Sequence, residues 1–213
     1  MINEKALKKV ELKVFRLSSN DGLFDFFLGC FVLMFAVAPL LSSSLGDFWS
    51  SIVFLPFWVI IYFVLLLIKK MVILPRTGRV KFGESHRKKM RKFHLIMFIT
   101  NLFVLIIGAY FVVTTRNMAG WVPGAIFGFA VLVLSSVAAY FFNYLRIFIY
   151  GLVMLLAFLI GERLFIRFQF SHHGYPVAFG ITSFAIMISG IILFIRFLKK
   201  YPLPEIHSEE ELV

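Results

Sequence analysis

Residues 69–92, from Lys69 to Lys92, read KKMVILPRTGRVKFGESHRKKMRK. Ten lysines and arginines stand there against one acid, Glu84, so the stretch carries +9 of the chain's net +11. On either side the chain is apolar in runs of about 20 residues, the length a helix needs to cross a hydrocarbon layer roughly 30 Å thick. The stretch is therefore the long polar interruption of a membrane protein, and its charge orients the spans around it.

Composition agrees. Of 213 residues, 61% are hydrophobic and 15% charged, where soluble domains average about 45–50% and about 25%. So much apolar surface finds no solvent in water. The basic excess flanks apolar runs, which points to lipid headgroups and not to nucleic acid. A lone cysteine, Cys30, allows no intrachain disulfide.

Outward from the basic loop 69–92, the second span covers 48–68, with Pro56 inside it, and the first covers 23–41. Asn20 or Asp21 caps the first span, and Asp25 sits in its first turn, where a carboxylate suits the helix dipole. The third span is 93–114. The next 40 residues, Trp121 to Ile160, are apolar apart from Asn143 and Arg146. That run is too long for one crossing, so it splits there into spans 121–142 and 144–160. A loop, Gly161 to Pro176, leads to the sixth span, 177–198, and residues 201–213 form an acidic tail. Residues 1–20 place Ile2, Ala6, Leu7, Val10, Val14 and Leu17 on one helical face, with lysines opposite. That pattern predicts a helix lying in the membrane interface; a plain topogenic tail is the alternative. The fold class is all-α: a polytopic transmembrane bundle of six spans over 21–200, preceded by an interfacial amphipathic helix.

Six spans put both termini on one side. That side carries 19 lysines and arginines, and the other keeps Arg116, Arg163 and Arg167. The positive-inside rule places the richer side in the cytoplasm, hence an inner, cytoplasmic membrane with both ends inside.

Four groups of residues are candidates for chemistry. Val72 to Pro75, a turn at Arg76-Thr77-Gly78, and Arg79 to Phe82 read as a small hairpin that presents Arg76, Arg79 and Lys81 to phosphates. The plainer reading is a topogenic loop touching anionic lipid. Asp21 and Asp25, four apart on one helix face, pair with Arg76, Arg79 or Arg146 in a polar cluster or hold a divalent ion, or else serve as cap and structural ion pair. Glu162, His172 and His173 mark the outer loop. Gly120, Gly124 and Gly128, continued by Ser135 and Ala139, give the fourth span a smooth face for a neighbouring helix, within the bundle or in a homodimer. No HExxH, nucleotide-binding glycine loop or intramembrane serine-protease motif is present. The acids are too sparse for the lipid-headgroup phosphotransferase pattern, of which only the DG fragment occurs. No catalytic, metal or cofactor site is expected. Polar residues deep in the spans are few and neutral, which argues against ion-coupled transport.

The pairing of NDGLFDFFLG, at the first span, with LPRTGRVKFG, after the second, resembles a family of small six-span prokaryotic membrane proteins of unassigned function. FNYLRIFIYG and HGYPVAFGITS resemble it too. That resemblance implies the fold and no activity. Length and span number are also similar to the substrate-binding subunits of energy-coupling vitamin transporters, but Cys30, Phe31 and Met34 interrupt the small-residue face those subunits use on their first span. The expected role is non-enzymatic: a scaffold or accessory subunit whose basic face binds anionic lipid headgroups, with a homo-oligomer or a membrane subunit as partner. A small-solute transport component with an outward-facing cavity near Glu162 is the alternative, and a lipid-headgroup enzyme stands third.

Overall fold

The computed structural model describes residues 21–77, 84–114, 121–169 and 171–202. These are almost wholly helical, with no strand among the described residues. Six helices are long and apolar enough to cross a membrane: α1 (Leu23–Gly46), α2 (Phe48–Arg76), α3 (within Glu84–Thr114), α4 (Trp121–Phe142), α5 (Leu145–Phe168) and α6 (Tyr175–Lys200). The protein is an all-α, multi-pass integral membrane protein. Helices are the expected solution, because lipid offers no partner to an unpaired backbone N–H or C=O.

Each connection has a local cause. Helical hydrogen bonding runs on from Leu23 to Ile68 and is broken at Gly46, whose φ of 77° and ψ of 161° suit only a residue without a side chain. Asn143 turns the chain between α4 and α5 with φ 52°, and asparagine tolerates that left-handed region best among side-chain-bearing residues. The Tyr144 N–H then closes on the Ala139 carbonyl at 3.0 Å. Gln169 ends α5 the same way, and a short 3-10 turn, Ser171–Gly174, delivers the chain to α6.

The expected hairpin needs correction. Val72 to Pro75 are helical: α2 continues past Ile68 through a π turn, Lys69–Ile73, and a last helical turn, Leu74–Thr77. An isolated two-stranded ribbon is marginal, whereas extending α2 pairs the same backbone groups within the helix. Residues 78–83 and the segment 1–20 lie outside the described residues.

The centre is a three-helix packing of α1, α5 and α6. Val32 and Ala36 meet Tyr150, Met154, Ala157 and Phe158, with Phe179 and Ile186 between them. Little hydrophobic force drives helices together in lipid, so close packing has to do it. Gly190 lies under α1 so tightly that a Cβ there would sit 2.6 Å from the Phe26 backbone nitrogen. Between α4 and α5, a Cβ on Gly128 would meet Leu155 at 2.7 Å, and one on Gly151 would meet Ser135 at 2.5 Å. The smooth face of α4 is thus used inside the bundle. α3 touches α4 through Phe93 against Phe141 and Phe142, and no residue of its apolar stretch is buried. α2 leans on α1 by one large side chain: Trp58 packs on Phe27 and Phe31 and donates to Met34 Sδ at 3.4 Å. Phe54 and Ile73 of α2 are buried as well, and the exposed apolar surface of α2 and α3 is left for lipid.

Candidate functional site at the Asp21 end of the bundle

Asp21 and Gly22 begin the bundle at the end where α2 and α6 finish. The Asp21 carboxylate accepts the Leu23 N–H at 3.0 Å and so caps α1. Asp21 is buried, and burial raises its carboxyl above the ordinary 3.8, against the opposing pull of the Leu23 N–H and the Lys69 charge.

One turn on, Asp25 is 0% exposed. It is held from α5: the Tyr150 hydroxyl donates to Oδ1 at 2.7 Å, the Tyr144 hydroxyl to Oδ2 at 3.3 Å, and Arg146 stands 3.6 Å from Oδ2. The Arg146 guanidinium also lies over the Tyr144 ring, 5.0 Å from its centre. Ser189 of α6 approaches the Tyr150 hydroxyl at 3.4 Å. A carboxylate in apolar surroundings is costly unless paired and hydrogen-bonded, and here three residues of α5 do both. Burial also raises the Tyr144 phenol, as does the Asp25 charge, so it stays a donor.

A cavity of about 330 Å³ opens beside this cluster. Phe24, Phe27, Leu65, Phe142 and Ile147 make its walls, and Asp21, Lys69, Tyr62 and Tyr144 supply its polar atoms. A second cavity of about 400 Å³ runs between α1, α2 and α6 and is lined almost wholly by apolar side chains. Volumes of this size suit small-molecule sites, which are typically apolar with a few convergent polar groups.

The candidates from the sequence divide as follows. Asp25 and Arg146 are brought together, while Asp21 faces the cavity with Lys69. Arg76, at the end of α2, buries Nε and Nη1 with no hydrogen-bond partner among the described residues. Arg79, Lys81 and Gly120 lie outside the described residues. Gly124 and Gly128 are buried in α4.

Glu162 is not in a loop. α5 continues two turns beyond Ile160, and Glu162 is 2% exposed, accepting a 2.5 Å hydrogen bond from the Tyr175 hydroxyl of α6. Gly124 leaves the room: a Cβ there would lie 2.9 Å from Glu162 Cγ and 3.2 Å from the Tyr175 oxygen. His172 and His173 stand in the following 3-10 turn, where His172 has φ 53°. Two ionisable groups, Asp25 and Glu162, are therefore buried within spans, each near one end of the bundle. Among the described residues, no three His, Cys, Asp or Glu side chains gather as metal ligands would.

Tyr144, Tyr150, Tyr175 and Ser189 are not among the candidates from the sequence. A tyrosine inside an apolar run needs a hydroxyl partner when buried, and that was the signal available.

Compared with protein-family models, curated proteins and solved structures, the chain matches none.

Proposed function

We propose that this is a non-enzymatic protein of the inner membrane, with both termini cytoplasmic, that seats an anionic lipid headgroup at its basic end as a scaffold or accessory subunit. One observation carries the reading: the 330 Å³ cavity is lined mostly by apolar side chains, with Asp21 and Lys69 also on its lining. Lipid chains suit such walls, and a phosphate suits the lysine. Arg76 supports the same reading, since its Nε and Nη1 are buried donors with no hydrogen-bond partner among the described residues, and a phosphate supplies acceptors for charge-assisted bonds. The other basic residues of 69–92 add attraction to an anionic leaflet. The paired motifs DGLFDFFLG and PRTGRVKF, one at the cavity and one beginning in the last turn of α2, are the proposed mark of a family of small prokaryotic six-span proteins.

The test is native mass spectrometry of the detergent-purified protein after incubation with phosphatidylglycerol or phosphatidylcholine. Preferential retention of phosphatidylglycerol, weakened by Lys69→Ala, is expected. Equal retention of both lipids, or of neither, rejects the reading.

A further inference from the structure

The two cavities share one wall. Leu23 of α1 and Leu65 of α2 line both, so these leucines stand between them. The neighbours of Leu65 separate cleanly: Val64 lines only the larger cavity and Leu66 only the smaller.

The larger cavity follows α1 from Gly22 to Leu33 and α2 from Ile68 back to Phe57. At about 1.5 Å per residue, that is a trough roughly 16 Å deep, close to the roughly 15 Å of hydrocarbon in one leaflet. It starts at the level of Asp21 and ends near the middle of the spans. The smaller cavity begins at the same end, with Asp21 and Lys69 on it, and reaches only Phe27. The two cavities thus start at one end of the bundle, with Asp21 and Lys69 on the smaller, and run as apolar channels of unequal depth on either side of Leu23 and Leu65.

From this we infer that the site holds one diacyl phospholipid, its two chains straddling the Leu23–Leu65 divide. The inference rests on the lipid reading above and adds the number of chains and their places. One chain fills the deep trough beneath α2, and the other enters the shallower cavity. Lys69 meets the phosphate, and the Asp21 carboxylate accepts a hydrogen bond from a headgroup hydroxyl. Trp58 holds α2 against α1, so the space is a built trough and not a gap that α2 closes by collapsing.

The experiment compares diacyl phosphatidylglycerol with its single-chain lyso form by native mass spectrometry. Val64→Trp fills the trough and Leu66→Trp the smaller cavity; Leu105→Trp, exposed on α3, is the control. Diacyl retention is expected to fall at least tenfold with either cavity variant and to be unchanged in the control. Lyso-lipid retention should fall with Val64→Trp only. If wild-type protein retains phosphatidylglycerol and both cavity variants do so equally well, the two-channel seat is wrong while the headgroup reading stands. If wild-type protein retains none, both fail. The wild-type chain supplies an independent check should a tryptophan variant misfold. Phosphatidylglycerol with a chain-terminal diazirine should label peptides around Leu33 and Phe57. Labelling spread over exposed α3 instead overturns the inference.

Discussion

Tyr150 of α5 donates a 2.7 Å hydrogen bond to Asp25 of α1, joining residues 125 apart in sequence at a fully buried carboxylate. Arg146 completes the pairing from one turn earlier on α5, 3.6 Å away and with its side chain 33% exposed. The consequences of removing each partner differ. Asp25→Ala leaves Tyr150 and Arg146 facing an apolar hole, and stability should fall by about 3 kcal/mol. Tyr150→Phe removes one hydrogen bond to a charged group, at a cost of about 1.5–3 kcal/mol. Arg146→Ala should cost less than Asp25→Ala, because the Tyr144 and Tyr150 hydroxyls still hold the carboxylate. Thermal melting in detergent ranks the three variants. Arg146→Ala as the most damaging would mean that the ion pair, and not the hydrogen bonds, holds Asp25.

Asp21 gives the molecule a pH dependence of definite sign. Its carboxyl is raised above 3.8, chiefly by burial. The neutral form is therefore favoured in the fold, and its stabilising contribution is full below 3.8 and lost as pH rises through the raised value. Asp21→Asn keeps an oxygen for the Leu23 N–H and removes the charge. Melting temperature should rise in that variant near neutral pH and match wild type below the ordinary carboxylate range. Asp21→Ala, by contrast, loses the cap and should cost about 1 kcal/mol below the ordinary carboxylate range, and less near neutral pH, where it also removes the buried charge. A wild-type advantage over the asparagine variant at neutral pH would show that Lys69 outweighs burial.

Two glycines of α6 separate packing from propensity. A Cβ on Gly190 would sit 2.6 Å from the Phe26 nitrogen and 3.0 Å from the Gly22 oxygen, both backbone atoms, while one on Gly180 meets nothing within 4 Å. Gly190→Ala must push α1 from α6 and should destabilise by about 1–3 kcal/mol. Gly180→Ala should be neutral, or stabilising by up to about 1 kcal/mol from helix propensity alone. Melting of the two variants side by side tests the α1–α6 contact.

On α4 the question is internal seam or dimer face. A Cβ on Gly128 would lie 3.2 Å from Leu155 Cα as well as 2.7 Å from its Cδ1, so rotating a side chain does not relieve it. Gly128→Leu should lower the melting temperature and leave the oligomeric state as it is, by light scattering in detergent. A shift in oligomeric state with melting unchanged would move the seam to the outside of the bundle.

Much of the architecture was legible because lipid narrows the choices. Backbone groups without water must pair locally, so apolar runs of the right length are helices, and Asn143 marks the turn in the longest run. Asp25 and Arg146 were legible as a pair because a buried carboxylate needs a cation or donors. Hydropathy misled at Glu162, where a charged residue reads as a span's end. Its partner Tyr175 sits 13 residues on, across a turn, and Gly124 makes its room from a third helix. The hairpin at Val72 to Pro75 was misread because alternation of side chains says nothing about a helix arriving from upstream with its hydrogen bonding intact. The cavities depend on how far α2 stands from α1, which is a property of three packed helices and of no single stretch.

Arg76 and the pair Lys88 and Lys89 distinguish a site from a charge cloud. Arg76 ends α2 with Nε and Nη1 buried and without a hydrogen-bond partner among the described residues. Lys88 and Lys89 begin the membrane stretch of α3 with exposed side chains. If the basic residues act only through the sum of their charge, removing two lysines weakens binding to anionic vesicles more than removing one arginine. Desolvated guanidinium donors behave otherwise, since charge-assisted bonds to a phosphate are worth more than two screened charges. Arg76→Ala should therefore weaken binding to phosphatidylglycerol vesicles roughly tenfold, the loss of a hydrogen-bonded charge worth about 1.5–3 kcal/mol, and exceed the loss from Lys88→Ala with Lys89→Ala. Arg76→Lys should recover only part of it, because an ammonium does not reproduce the fixed planar donor geometry of the guanidinium. High salt should remove the lysine contribution and spare much of the arginine's. A larger loss from the lysine pair, or full rescue by Arg76→Lys, would reduce the basic end of this bundle to a topological anchor.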